Sequence, residues 1–146
     1  MREIKFRGKT LDGRWIYGDL WHRPYAKDCV TIVSFMEDTG TTGGLEVIPE
    51  TVGQYTGLKD KNGKEIYEGD IVENTTQTVY LGDKYEVVWN KNYAGYQLMS
   101  DGFTSNIPLI QNFMSYKVIG NIYENPELLN VEQTGGTERK EREMEK

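Results

Sequence analysis

Short runs of alternating apolar and polar residues, cut by turns built on glycine, dominate this chain and steer it towards β-structure. "EIKFR" (3–7) sets Ile4 and Phe6 between charges. "WIYGDLW" (15–21) follows an Asp12-Gly13 turn, so the two runs read as a hairpin or meander. "DIVEN" (70–74) comes after a second turn, Asn62-Gly63. A period of two puts successive side chains on opposite faces, so each run has one face to bury and one to wet. On a helix the same pattern would scatter its apolar residues around the axis.

Other strands follow from composition. "CVTIVSF" (29–35) is β-branched and continuous, as a buried strand would be, with Cys29 as a small core residue. "LEVIPETVGQY" (45–55) reads as a strand interrupted at Pro49 and resumed at Val52. "YEVVWN" (85–90), "GYQLMS" (95–100) and "YKVIGNIY" (116–123) add three more. "EDTGTTGG" (37–44) has the composition of a flexible loop. Helix is scarce. "NPELL" (125–129) supports one turn, with Asn125 as N-cap and Pro126 at the first helical position. A second short helix fits part of 105–114, against the resistance of Pro108. The expected fold is mainly β: a small SH3-like or related β-barrel with one or two short helical turns, forming one domain over residues 1–129. Residues 130–146 change character. "TGGT" is a linker, and "ERKEREMEK" has helix formers but a single apolar residue, so a flexible or helical charged tail is expected there.

The chain also repeats itself. "FRGKTLDGRWIYGDL" (6–20) and "YTGLKDKNGKEIYEGDIV" (55–72) each run from an aromatic through a turn glycine to Ile-Tyr, Gly-Asp and an aliphatic. Two copies are too few for a repeat array. They read as two similar hairpins. Gly13 and Gly63 are expected at positive φ, and Gly18 and Gly69 mark a strand bend or a close backbone approach. Asp19 and Asp70 are placed to accept local backbone hydrogen bonds.

Several chemistries fit poorly. A phosphate loop needs Gly-Lys followed by Ser or Thr and a helix, whereas Gly63-Lys64 runs into Glu65 and a strand. Asp60, Asn62 and Glu65 offer oxygens to calcium, but Lys59, Lys61 and Lys64 interleave them and repel a cation. His22 is the single histidine and has no nucleophile motif around it. Asp19, Asp70 and Glu68 resemble an acid/base set only if they converge in a buried site, which turn and strand-start roles make unnecessary. The net charge of −6 argues against nucleic acid and anionic membranes as partners. One cysteine rules out a disulfide framework and suits a reducing compartment. The opening "MREIKFRGK" lacks the apolar run of a signal peptide, and nothing resembles a transmembrane span, so a cytoplasmic protein is expected.

The aromatics carry the strongest functional hint. Ten Tyr, four Phe and three Trp exceed what a disordered chain would hold. Trp15, Tyr17, Trp21 and Tyr25 gather near the start, and Tyr80, Tyr85, Trp89, Tyr93 and Tyr96 gather later. Tyr and Trp build both cores and stacking platforms. Beside the early cluster stand Arg2, Lys5, Arg7 and Lys9. A pocket for an anionic ligand would draw on Arg7, Lys9 and Arg14 for phosphates and on Trp15, Trp21, Tyr25 or Tyr55 for stacking.

Three blocks, "IKFRGK…DGRWIYGDL", "PETVGQYTGLKDKNGKEIYEGDIV" and "VIGNIYENPELL", closely resemble the YopX family of phage and prophage proteins. Together they span residues 3 to 129. The resemblance implies a small, mostly β protein with a barrel-like core, oligomeric, and encoded by a phage or prophage in a bacterial host. It brings no catalytic residue with it. The expected function is a non-enzymatic accessory protein that binds a host protein or a small anionic ligand and uses no cofactor or metal. The alternatives are an oligomeric sponge for a host signalling nucleotide, a nucleic-acid-binding barrel, and an enzyme using His22 or the acidic residues.

Overall fold

A computed structural model describes residues 1–26, 28–36, 39–100, 103–109 and 113–129. The expected tail at 130–146 lies outside them. Strands dominate: β1 (Phe6–Lys9), β2 (Trp15–His22), β3 (Val30–Met36), β4 (Thr41–Val47), β5 (Gly53–Lys59), β6 (Glu65–Tyr67), β7 (Asp70–Asn74), β8 (Lys84–Asn90), β9 (Gly95–Ser100), β10 (Phe103–Pro108) and β11 (Tyr116–Asn121). Single 3-10 turns stand at Pro49–Thr51 and Phe113–Ser115. The chain divides into two compact units, Met1–Gly57 and Leu58–Lys146, with β5 running across the division. No helix among the described residues is long and apolar enough to cross a membrane.

In the first unit the strand order is β4-β3-β2-β1-β5, antiparallel throughout. Val30, Ile32 and Val47 form its buried cluster, with Phe6, Ile16, Leu20 and Val52 packed against them. These side chains share one face of the sheet, as the period of two requires. Ile4 is left exposed, against the expectation that it joins that face.

In the second unit the order is β10-β9-β8-β7-β11, and β6 follows β5 across the Asn62-Gly63 turn. Its core is Ile66, Val72, Tyr85, Val87, Leu98, Leu109 and Tyr116, with Tyr85 and Tyr116 meeting edge to face at 6.0 Å.

The expected closed barrel is corrected. Both sheets are open ladders. In the first unit the isolated bridge Thr10↔Val47 and the bond from Ile48 N–H to the Lys9 carbonyl (2.8 Å) tie the end of β4 to the residues closing β1. The 3-10 turn at Pro49 then carries the chain away before a ladder can form.

Two further expectations change. Residues 41–44, read as loop, form the first half of β4 in unbroken register with β3. Gly44 suits that strand because a Cβ there would lie 2.8 Å from Thr31 Cγ2, a packing demand that composition alone reads as flexibility. The helix expected within 105–114 is replaced by β10 as far as Pro108, which tolerates an edge position, and by the 3-10 turn at Phe113–Ser115. Residues 110–112 lie outside the described residues.

The two hairpins share a turn and differ beyond it. Gly13 (φ +90°) and Gly63 (φ +82°) both occupy the left-handed region. Gly69 does so as well (φ +84°), whereas Gly18 is required by crowding, since a Cβ there would fall 2.1 Å from the Val33 carbonyl oxygen. Asp70 Oδ2 accepts the Tyr67 N–H at 2.8 Å as expected. Asp19 is exposed and makes no such bond among the described residues, because β2 runs straight through its position. At the C-terminal turn, Leu128 N–H reaches the Asn125 carbonyl (3.0 Å), while Asn125 Oδ1 turns back to accept from Asn121 N–H (3.3 Å).

Candidate aromatic and basic face

Alternation along β2 sends Trp15, Tyr17, Asp19 and Trp21 to the face opposite the first unit's core. The β1–β2 register sets Lys9 across from Trp15 and Arg7 across from Tyr17. On the far side of β1, Arg7 pairs with Gly53, and Tyr55 N–H donates to the Lys5 carbonyl at 2.8 Å. A basic ridge of Lys5, Arg7 and Lys9 therefore lies between the aromatic ridge of β2 and Tyr55.

Cations and rings on this part of the unit are paired. The Arg7 guanidinium stacks 5.0 Å from the Trp15 ring centre, Lys5 Nζ lies 5.3 Å over Tyr55, and Arg23 lies 5.8 Å from Trp21. Such contacts contribute roughly 0.5–2 kcal/mol each, more where water is excluded. Arg7 is buried at 6% exposure, and Tyr55 is buried too, so both lie beneath the surface that a ligand would meet. Tyr17 and Trp21 are about half exposed (48% and 51%) and form the accessible part.

Of the seven residues that the sequence nominated, Arg7, Lys9, Trp15, Trp21 and Tyr55 share this face. Arg14 and Tyr25 stand at its ends. Arg14 closes the β1–β2 turn, where its Nε holds Asp12 Oδ2 at 3.0 Å and its backbone N–H donates to Thr10 Oγ1. Asp12 also accepts from the Thr10 hydroxyl. That bond first, and the Arg14 charge with it, hold the Asp12 carboxyl below its usual range. Arg14 and Trp21 are separated by roughly 20 Å along the strand, so one small ligand does not reach both. Tyr25 is fully exposed beyond the end of β2. His22 is exposed on β2.

Sequence reasoning missed the neighbouring row. Trp21 pairs with Thr31, and Thr31 with Glu46. Thr31 is 3% exposed, and its Oγ1 has no hydrogen-bond partner among the described residues. Its parity was legible: it alternates with Val30 and Ile32, both buried apolar residues of β3. Cys29, expected in the core, is only half-buried and stands before β3 begins. A hydrogen bond to Glu46, with the Glu46 charge, pushes its thiol pKa up.

The second aromatic cluster is divided. Tyr85 is core, Trp89 and Tyr96 meet edge to face at 5.0 Å, and Tyr80 and Tyr93 are exposed. Among the described residues no group of three or more His, Cys, Asp and Glu side chains could hold a metal ion. Asp60, once a candidate oxygen ligand, is buried with its oxygens committed to backbone. Oδ1 accepts Asn62 N–H (2.8 Å) and Lys64 N–H (2.9 Å), and Oδ2 accepts Val118 N–H (2.8 Å).

The fold has a solved counterpart. The crystal structure of protein EF1440 from Enterococcus faecalis matches with a TM-score of 0.55 and 24% identity, over 88% of this chain and 99% of that one. At that identity the likeness speaks for the fold alone. No curated protein matches the chain. The sequence profile of the family described as YopX protein matches residues 5–130, from the start of the basic ridge to just past the last helical turn. The chain belongs to the YopX family.

Proposed function

We propose that this protein is a non-catalytic accessory protein of phage type, and that the aromatic and basic face of its first unit is its binding surface. The observation that carries this reading is the placement of Trp15, Tyr17 and Trp21 on one sheet face, beside Arg7 and Lys9. The ligand class that suits it is a planar anion. An exposed ring such as Tyr17 stacks on a planar group, and Lys9, across from the neighbouring Trp15, balances its negative charge. The commitment of Asp60 and Asp70 to backbone N–H groups supports a binding role over an acid/base one. Strand order β4-β3-β2-β1-β5, with a 3-10 turn between β4 and β5, supports an SH3-like reading of the first unit. Such a fold carries no function by itself.

The test is calorimetry and thermal shift with a panel of linear and cyclic nucleotides, on the wild-type protein and on Tyr17→Ala and Lys9→Ala. Saturation at about 100 times the dissociation constant stabilises the protein by about 2.7 kcal/mol. Binding that weakens in both variants supports the site. Tight binding unchanged in both places the ligand elsewhere, and no response to any nucleotide at millimolar concentration removes the planar anion.

A further inference from the structure

A strand at the edge of a sheet presents unpaired N–H and C=O groups, and proteins blunt such edges with bulges, proline, lysine, brevity or a covering loop. Three edges here are blunted. β11 is covered by the β5–β6 turn, with Lys61 N–H on the Tyr116 carbonyl (3.1 Å) and Val118 N–H on Asp60. β10 ends in Pro108 and carries a register shift. β6 has three residues.

β4 has none of these devices. It is seven residues long and pairs with β3 without a break in register. Thr41, Thr42, Gly44 and Glu46 are exposed, and the outer backbone edge of 41–46 has no partner among the described residues. Only Val47 is closed, by its bridge to Thr10. The absence of lysine is regional. From Asp28 to Leu58 the sequence holds no Lys or Arg, while Asp28, Glu37, Asp38, Glu46 and Glu50 are acidic.

We propose that β4 is the docking edge for an extended, basic segment of another protein, which adds to the sheet as a further strand beside residues 41–46 of the first unit. Cross-strand neighbours on one face lie close enough to interact directly. A Lys or Arg of the incoming strand beside Glu46 would extend the row Trp21–Thr31–Glu46 with a cation. Residues on its other face would meet Leu45, which is half-buried at the edge. Gly43 and Gly44 leave the middle of the strand without side chains that would hinder approach. The partner's pattern is therefore basic and apolar in alternation. This edge is distinct from the aromatic face and does not depend on a ligand there.

The probe is a capped heptapeptide alternating Arg and Val, set against a peptide of the same charge with a central proline, which cannot complete the ladder. Amide exchange on the whole protein should show new protection confined to residues 41–46. Glu46→Lys turns attraction into repulsion and installs an edge lysine, so affinity should fall by about tenfold. Thr42→Lys gives a second edge charge should the first variant fold poorly. Equal binding of the proline peptide would reduce the effect to charge alone and overturn strand addition. So would protection elsewhere, or no binding at millimolar peptide. A protein that dimerises in sedimentation, and loses the dimer in Glu46→Lys, would assign the edge to a second copy of this chain instead.

Discussion

The Asp60 carboxylate accepts the backbone N–H of Val118 at 2.8 Å, joining the β5–β6 turn to the edge strand β11. Its other oxygen organises the turn by accepting Asn62 and Lys64 N–H groups. Asp60→Ala strands three backbone donors. A loss of roughly 1–3 kcal/mol is expected, since the lost bonds are to a charged group while the exposed Asn62 and Lys64 N–H groups can turn to water. Asp60→Asn keeps one carbonyl oxygen and should lose less. Urea unfolding of the two variants checks the order, and equal losses would contradict the three-donor account.

Glycine is required for different reasons in the two hairpins. Gly63→Ala meets no atom within 4 Å and suffers only its positive φ, so a loss of roughly 1 kcal/mol is expected. Gly18→Ala drives a Cβ against the Val33 carbonyl oxygen and should cost about 3 kcal/mol or prevent folding, as overpacking does. Melting temperatures should separate the two variants clearly.

Thr31 hides a hydroxyl without a hydrogen-bond partner among the described residues, in a site that is 3% exposed. Thr31→Val replaces it with a group of the same shape. Stability should rise by about 1 kcal/mol, the desolvation penalty of such a group. A loss of that size in denaturant unfolding would mean that the hydroxyl has a partner.

Burial raises the Glu86 carboxyl above its ordinary pKa, so the fold favours its protonated form. The penalty on the charged form is absent below the ordinary carboxylate range and accrues as pH rises through the folded pKa. Glu86→Gln should therefore stabilise the protein near neutral pH, with the gain vanishing at about pH 3.5, where the wild-type carboxyl is protonated in both states. A gain independent of pH would assign the effect to packing.

The Cys29 thiol pKa is raised because the thiol donates a hydrogen bond to Glu46 and the Glu46 charge disfavours the thiolate, with burial and Asp28 acting the same way and Arg23 opposing. Glu46→Gln should lower the thiol pKa. Alkylation at about pH 8 should then run faster than in the wild type, because the thiolate is the reacting form. A slower reaction would reverse the assigned cause.

Much of the fold was legible because β-structure writes its faces into alternate residues. The Ile16 and Leu20 parity on β2, the Asn62-Gly63 turn and the break at Pro49 all needed only local information. What failed was non-local. The Gly43-Gly44 pair reads as loop until its pairing with β3 is known, and Cys29 reads as core until Glu46 stands beside it. The shared face of Arg7, Trp15 and Tyr55 follows from alternation once β1 is known to lie between β2 and β5. The burial of Arg7 does not, because a charge at that position reads as wet.

The bridge between Thr10 and Val47 has a consequence for how the first unit comes into being. β2, β3 and β4 each pair with a chain neighbour and can zip as soon as they exist. β1 cannot complete its partners until residues 47 to 55 have been made, since Thr10 waits for Val47 and Arg7 for Gly53. Closing so long a loop sacrifices chain entropy before any contact repays it, and such contacts form slowly. During synthesis β1 can thus zip to β2 along one edge at once, while its other edge stays open until residues 47 to 55 have followed.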